Sequence, residues 1–218
     1  MAAEPKRAVV FDVMGTLFDL APLRDALEAL GAGPAALHAW FQRILHEAAT
    51  VTLTGQYRPF KELAASALRT TLAQLDLDPG RTEPLDALSQ LDPYPDAEPA
   101  LRRLRDSGLR VVTLTNGAEE STEELLERGG LREYVEQVLS CDEVEAYKPH
   151  PAPYRLALRA VGGDATLVAA HAWDVVGARA AGYRAVWVDR EERDWPLPVG
   201  APKLRAGDLV EAARLAVD

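Results

Sequence analysis

The chain predicts an α/β fold: an open parallel sheet with helices on its faces and a long helical insertion near the start. Short apolar runs rich in β-branched residues recur at 7–13, 109–114, 138–140, 167–170 and 185–188. They are continuous rather than alternating in polarity, the pattern of strands buried on both faces. Helix-periodic stretches separate most of them, and strands that alternate with helices build parallel sheets. Residues 19–92 break the alternation, since helical patterns follow one another there with no strand candidate among them.

The first run ends in Asp12 and a turn at Gly15 and Thr16. Within the insertion, 34–48 carries Leu37, Trp40, Phe41, Ile44, Leu45 and Ala48 at helical spacing, and 59–75 does the same with Phe60, Leu63, Leu68, Leu72 and Leu75. The proline-rich stretch 92–96 marks the return to the sheet, so the expected division is a core of 1–18 plus 93–218 and a helical domain of 19–92. A helix over 96–107 shows Ala97, Ala100, Leu101 and Leu104 on one face and is stopped by Gly108; another over 118–128 ends at Gly129 and Gly130. In 173–181, Gly177, Ala178 and Ala181 share a face that lets a helix lie close against the sheet before Gly182 ends it.

At 218 residues, with 48% hydrophobic and 27% charged, the chain suits one ordinary domain or a domain with an insert. Its 24 basic and 34 acidic residues give a net charge of −10, which argues against a nucleic-acid partner and for a small substrate. No apolar run approaches the roughly 20 residues that span a bilayer. Residues 1–7 lead into a strand-like stretch rather than a signal-peptide core, so a cytoplasmic protein with no membrane partner is expected. The single cysteine, Cys141, excludes an intrachain disulfide and a zinc site of several thiolates. The histidines (His38, His46, His150, His171) form no i, i+4 pair.

Ligands of an open parallel sheet bind beyond the carboxyl ends of its strands. Asp12, Thr16, Thr115, Asn116, Lys148, His171 and Asp174 all fall just after predicted strands and would converge on one rim. Asp12 beside Lys148 should stay ionised and could act as a nucleophile. Taken singly, each residue has a structural alternative: Asp12 capping a turn, Thr115 and Asn116 capping a helix, Lys148 as a surface charge. Their convergence carries the functional argument.

Segments 11–19 (FDVMGTLFD), 114–117 (LTNG), 147–149 (YKP) and 172–174 (AWD) together resemble, in order and across nearly the whole chain, the haloacid dehalogenase superfamily. Within it the sequence looks most like the (S)-2-haloacid dehalogenase (type II) branch. The resemblance implies a Rossmann-like core with an inserted helical cap, Asp12 as nucleophile, and Thr16, Thr115 and Asn116 positioning it and the substrate. It further implies that Lys148 orients and stabilises Asp12 and that Asp174 is the acidic residue of the fourth motif. Met14, Phe41, Gln42, Leu45, Phe60, Tyr154, His171 and Trp173 fall at pocket or active-site positions; Leu45 and Phe60 equally suit the cap's own core. The implied reaction displaces halide from a small anionic 2-halocarboxylate to give an aspartyl ester, which water hydrolyses with help from Lys148 and Asp174. It requires no metal or other cofactor. Members of the branch form homodimers through cap helices, and the apolar face of 59–75 suits either a homodimer or closure of the cap's own core.

Two other functions stay open on the sequence. A phosphatase would need an acid two residues after the nucleophile, where Met14 stands, and a Mg²⁺ site that could draw only on Asp12, the Met14 backbone and Asp174, since Ala170 replaces a ligand of the superfamily. A non-catalytic protein on the same scaffold would hold a small anion at the rim without turnover. Against the dehalogenase branch, Phe41 replaces the arginine that receives the departing halide, while Ala169 and His171 replace a serine and an asparagine. Arg58, Asn116 or His171 could supply the missing donor; His171 could also bind a substrate carboxylate, activate water or be a structural rim residue.

Overall fold

A computed structural model describes residues 7–190 and 192–218; residues 1–6, expected to lead into the first strand, lie outside the described residues, as does 191. The first strand, β1 (Ala8–Phe11), is followed by the helices α1 (Ala21–Ala29), α2 (Ala36–Leu53), α3 (Phe60–Gln74), the single turn α4 (Glu83–Asp86) and α5 (Ala97–Asp106). Then come β2 (Arg110–Thr115), α6 (Glu119–Arg128), β3 (Gln137–Ser140), α7 (Pro151–Val161), β4 (Ala165–Ala169), α8 (Ala172–Ala180), β5 (Arg184–Val188), β6 (Leu204–Ala206) and α9 (Leu209–Val217). The strands form one parallel sheet in the order β3-β2-β1-β4-β5-β6, the doubly wound, Rossmann-like arrangement.

Every residue of β1 and β4 is buried, which explains their unbroken apolar runs. Alternate side chains serve two cores. Val9, Phe11, Val111 and Val168 join α5, α6 and α9, whereas Val10, Val112, Leu114 and Leu167 join α7 and α8. The order reverses between β1 and β4, whose Val10 and Leu167 are in register; there the connections lead to opposite sides and open a crevice at the strand ends.

The helical stretch leaves and rejoins the sheet at one place. Asp19 N–H donates to the Asp92 carbonyl at 2.8 Å and Tyr94 N–H to the Leu17 carbonyl at 2.9 Å. In between, α2 packs on α3, and the Trp40 indole N–H donates to the Ala64 carbonyl at 2.9 Å. Leu63, Leu68 and Leu72 on the apolar face of α3 are buried within this chain, whereas Leu75, just past its end, is exposed. No helix among the described residues is long and apolar enough to cross a membrane.

The strands expected from sequence are all present with no end moved by more than two residues; β6 and α9 had no counterpart. With only three residues, β6 gives too short a run to register. A signal for α9 was available: Asp208 accepts from Glu211 N–H at 2.7 Å, a helix cap preceding Leu209, Ala212, Ala213 and Ala216 at helical spacing. One packing expectation needs correction. Gly177 permits close approach to α7 rather than to the sheet, because a Cβ there would meet Tyr154 Oη at 2.5 Å and Pro149 Cβ at 2.7 Å. Ala178 of the same helix does face the sheet core, and Ala181 is only partly buried.

Gly177→Ala should therefore overpack the α7–α8 contact and lower stability by about 1–3 kcal/mol. Urea denaturation measures this, and an unchanged midpoint would contradict the close packing.

Candidate active site

The crevice between β1 and β4 gathers one ionic cluster. Asp12 follows β1 directly, its backbone tied to β4 by a 3.1 Å bond from Asp12 N–H to the Val168 carbonyl. Lys148 approaches from the loop after β3, and its Nζ donates to Asp12 Oδ1 at 2.7 Å, Asp174 Oδ2 at 2.7 Å and the Leu114 carbonyl at 2.9 Å. All three ammonium hydrogens are thereby engaged. The Thr16 hydroxyl donates to Asp12 Oδ2 at 2.7 Å and is itself aimed by Ala170 N–H, 2.9 Å from Thr16 Oγ1. Tyr154 donates to Asp174 Oδ1 at 2.6 Å, and Tyr183 steadies that helix by donating to the Tyr154 carbonyl at 2.9 Å.

The charges answer to burial first. Burial works against the Asp12 carboxylate, but Lys148, His171 and the Thr16 hydroxyl outweigh it and hold Asp12 below the usual carboxylate range. Burial likewise opposes the Lys148 ammonium, yet Asp12 and Asp174 raise it above an ordinary lysine. Asp174 is held above the carboxylate range by burial and the nearby Asp12 charge, against Lys148 and Tyr154. Burial and the same carboxylate push the Tyr154 hydroxyl well up, which keeps it a donor.

Only part of the expected set reaches open space. A cavity of about 20 Å³ at Asp12, room for about one water, is lined by Asp12, Thr115, Asn116 and His171, with walls from Met14, Phe41, Leu45, Phe60 and Trp173. Leu45 and Phe60 thus do face the site. Lys148 and Asp174 have side chains with 0% exposure, and Tyr154, expected to touch substrate, is fully buried behind Asp174. Gln42 lines a separate cavity of about 340 Å³ beside Phe41, His171 and Trp173. Arg58 points away, exposed and bonded to the Tyr57 carbonyl, so it is no substitute for the missing arginine.

Several partners were not legible. Asn116 Oδ1 accepts from Lys148 N–H at 3.1 Å and from the Cys141 thiol at 3.2 Å, which commits the amide oxygen and leaves its nitrogen as the donor. Burial pushes the Cys141 thiol up to about 12, so it stays protonated. The Met14 carbonyl lies 3.0 Å from His171 Nε2. His171 is clasped between Phe41 and Trp173, with ring centroids at 5.4 and 5.2 Å. Gly15 makes room for it: its φ is +76°, and a Cβ would come within 2.8 Å of His171 Nε2. Among the described residues no group of three or more His, Cys, Asp or Glu is placed to hold a metal ion.

A family model for haloacid dehalogenase-like hydrolases matches residues 6–182. Haloacetate dehalogenase H-2 of Moraxella sp. (strain B) is 37% identical over 191 residues, covering 84% of this chain and 85% of that protein. (S)-2-haloacid dehalogenase 1 of Pseudomonas sp. (strain CBS-3) is 35% identical over 195 residues, 86% of each. The solved L-2-haloacid dehalogenase of Xanthobacter autotrophicus, with chloropropionic acid covalently bound, superposes with a TM-score of 0.87 at 28% identity, covering 95% of this chain and 97% of its own.

Replacing Lys148 by methionine keeps the volume but leaves two carboxylates buried without a counter-ion, which should cost about 3–5 kcal/mol at neutral pH. The wild type has a depressed Asp12, so that part of its stability is present at neutral pH and is lost as pH falls through the folded pKa. In Lys148→Met, unopposed burial raises the carboxylates and protonation relieves them, so the stability gap should narrow as pH is lowered towards about 4. Denaturant titrations at both pH values check this; a gap independent of pH would contradict the charge balance.

Proposed function

This chain belongs to the haloacid dehalogenase-like hydrolase family, and on that premise we propose that it hydrolyses small 2-haloacids through an ester formed on Asp12. The observation that carries the proposal is the state of Asp12: ionised, held by one donor on each oxygen, and lining the cavity. One lone pair on a carboxylate oxygen attacks the carbon bearing the halogen, and the halide departs with its bonding electrons. Water then attacks the ester carbonyl and frees a 2-hydroxy acid. Lys148 and Thr16 orient the nucleophile, Thr115 and Asn116 face the substrate, and the Asn116 amide nitrogen is the donor available to the leaving halide. The helical stretch 19–92 acts as a cap over a core of 1–18 plus 93–218, contributing Phe41, Leu45 and Phe60 as walls.

The names of the relatives support this reading, since two act on haloacetate or (S)-2-haloacids and a third carries chloropropionic acid covalently. A Mg²⁺-dependent phosphatase is less well served by these residues. Lys148 already binds Asp12 and Asp174, the Met14 and Ala170 side chains offer no oxygen, and no acid stands where a leaving alkoxide would need a proton.

Purified protein given bromoacetate should release bromide at a rate unaffected by EDTA, and Asp12→Asn should reduce that rate by at least about 10³-fold. Full activity in Asp12→Asn would overturn the proposal. The narrow cavity adds an order of preference: kcat/KM should fall from bromoacetate to 2-bromobutyrate, because each added methylene must displace an apolar wall worth about 1–3 kcal/mol in discrimination.

A further inference from the structure

We propose that Arg190 is a positioning residue for the Asp12 nucleophile, acting through Thr16; this rests on the aspartate-nucleophile reading above. Arg190 comes two residues after β5, on the rim where Asp12 follows β1 and Thr115 ends β2. Its side chain is only 12% exposed, so its charge needs a counter-ion, which Asp96 supplies. Nη2 donates to Asp96 Oδ1 at 2.9 Å and Oδ2 at 3.2 Å, and the same nitrogen donates to the Thr16 carbonyl at 3.1 Å. The planar group lies over the Tyr94 ring, with Cζ 3.6 Å from the centroid.

The far side of this contact is anchored in rigid elements. Asp96 immediately precedes α5, and its Oδ2 also accepts from the N–H of Leu209, the first residue of α9, at 2.8 Å; α5 and α9 pack on each other. On the near side stands Thr16. Its hydroxyl donates to Asp12 Oδ2 at 2.7 Å, while its N–H reaches the Val13 carbonyl at a longer 3.3 Å, so the bond to its carbonyl bears on where the hydroxyl sits. The chain departs for the helical stretch just after Thr16 and returns at Tyr94, where Tyr94 N–H donates to the Leu17 carbonyl at 2.9 Å. Arg190 therefore touches the outgoing and the returning crossing together, and a single path of contacts runs from Asp96 through Arg190 and Thr16 to the nucleophile.

The chemical consequence follows from the two oxygens of Asp12. Displacement of halide needs one carboxylate lone pair aimed at the reacting carbon. Lys148 holds Oδ1 and Thr16 holds Oδ2. With Oδ1 alone held, the carboxylate can turn about its Cβ–Cγ bond, and a misplacement of about 1 Å can cost about 10²-fold in rate.

Rapid-quench mixing of the protein with increasing bromoacetate measures the first bromide burst and, by intact mass, the adduct on Asp12. Arg190→Met should slow the burst at saturating bromoacetate about 10- to 10²-fold and leave the half-saturating concentration unchanged, because Arg190 acts on the nucleophile. Thr16→Val deletes the hydroxyl and should slow the burst at least as much. Arg190→Met added to Thr16→Val should then slow it no further, whereas a purely structural arginine gives losses that multiply. Arg190→Lys keeps a charge beside Asp96 without the flat group over Tyr94; its smaller loss should likewise vanish in Thr16→Val, and it carries the test if the methionine variant does not fold. An unchanged burst, or the same fold-loss with and without the Thr16 hydroxyl, overturns the inference. So does a raised half-saturating concentration with an unchanged burst rate, which would make Arg190 a binding residue. Absence of bromide release from the wild type would instead defeat the aspartate-nucleophile reading, and this inference with it.

Discussion

The Lys148 ammonium, set between two buried carboxylates, is the constraint on which the rest of the site depends. Its three bonds reach the end of β1 through Asp12, the end of β2 through Leu114, and α8 through Asp174, while its own backbone holds Asn116. Two carboxylates with almost no exposure would otherwise have to be neutral. Strand order and charge balance are therefore one problem. The parallel register that brings Phe11 beside Thr113 and Val168 also sets the separation that one lysine must bridge.

Around this cluster the molecule separates two tasks. Residues with no exposure fix the protonation and direction of Asp12. Those that face the cavity come largely from elsewhere: Phe41, Leu45 and Phe60 from the helical stretch, His171 and Trp173 from the start of α8. The aromatic stack of Phe41, His171 and Trp173 is where the two sets meet, and it also divides the small cavity at Asp12 from the larger one beyond.

Much of this was legible in the sequence because strand ends in a doubly wound sheet are predictable places. Asp12, Thr115, Lys148 and Asp174 each follow an apolar run, and burial on both faces makes such runs conspicuous. Direction was not legible. Sequence position put Tyr154 at the substrate and Gln42 in the same pocket, but a helix can turn a side chain towards the core or away from the site, and spacing within one helix does not say which. Backbone partners also carry no letter of their own: the Leu114 carbonyl under Lys148, the Met14 carbonyl at His171 and the Ala170 amide at Thr16 were invisible until the chain was folded. Cys141 was read only for what one cysteine cannot do, whereas its thiol helps hold the Asn116 amide.

The paired hydrogen bonds of Asp19 with Asp92 and of Leu17 with Tyr94 make the helical stretch a detour whose two ends are neighbours. A detour of this kind can lengthen, shorten or change its lining while the sheet keeps its register, because closing the loop costs little more as it grows. The lysine-centred cluster is assembled wholly outside residues 19–92, and the detour is tied to the loop that carries Lys148 through Tyr147, whose N–H donates to Thr52 Oγ1 at 3.0 Å and whose hydroxyl donates to the Arg58 carbonyl at 2.7 Å. Phe41 belongs to the detour and His171 to the rim of the sheet, so their stack, with ring centroids 5.4 Å apart, is a contact that any change in the lining of the detour has to preserve or replace.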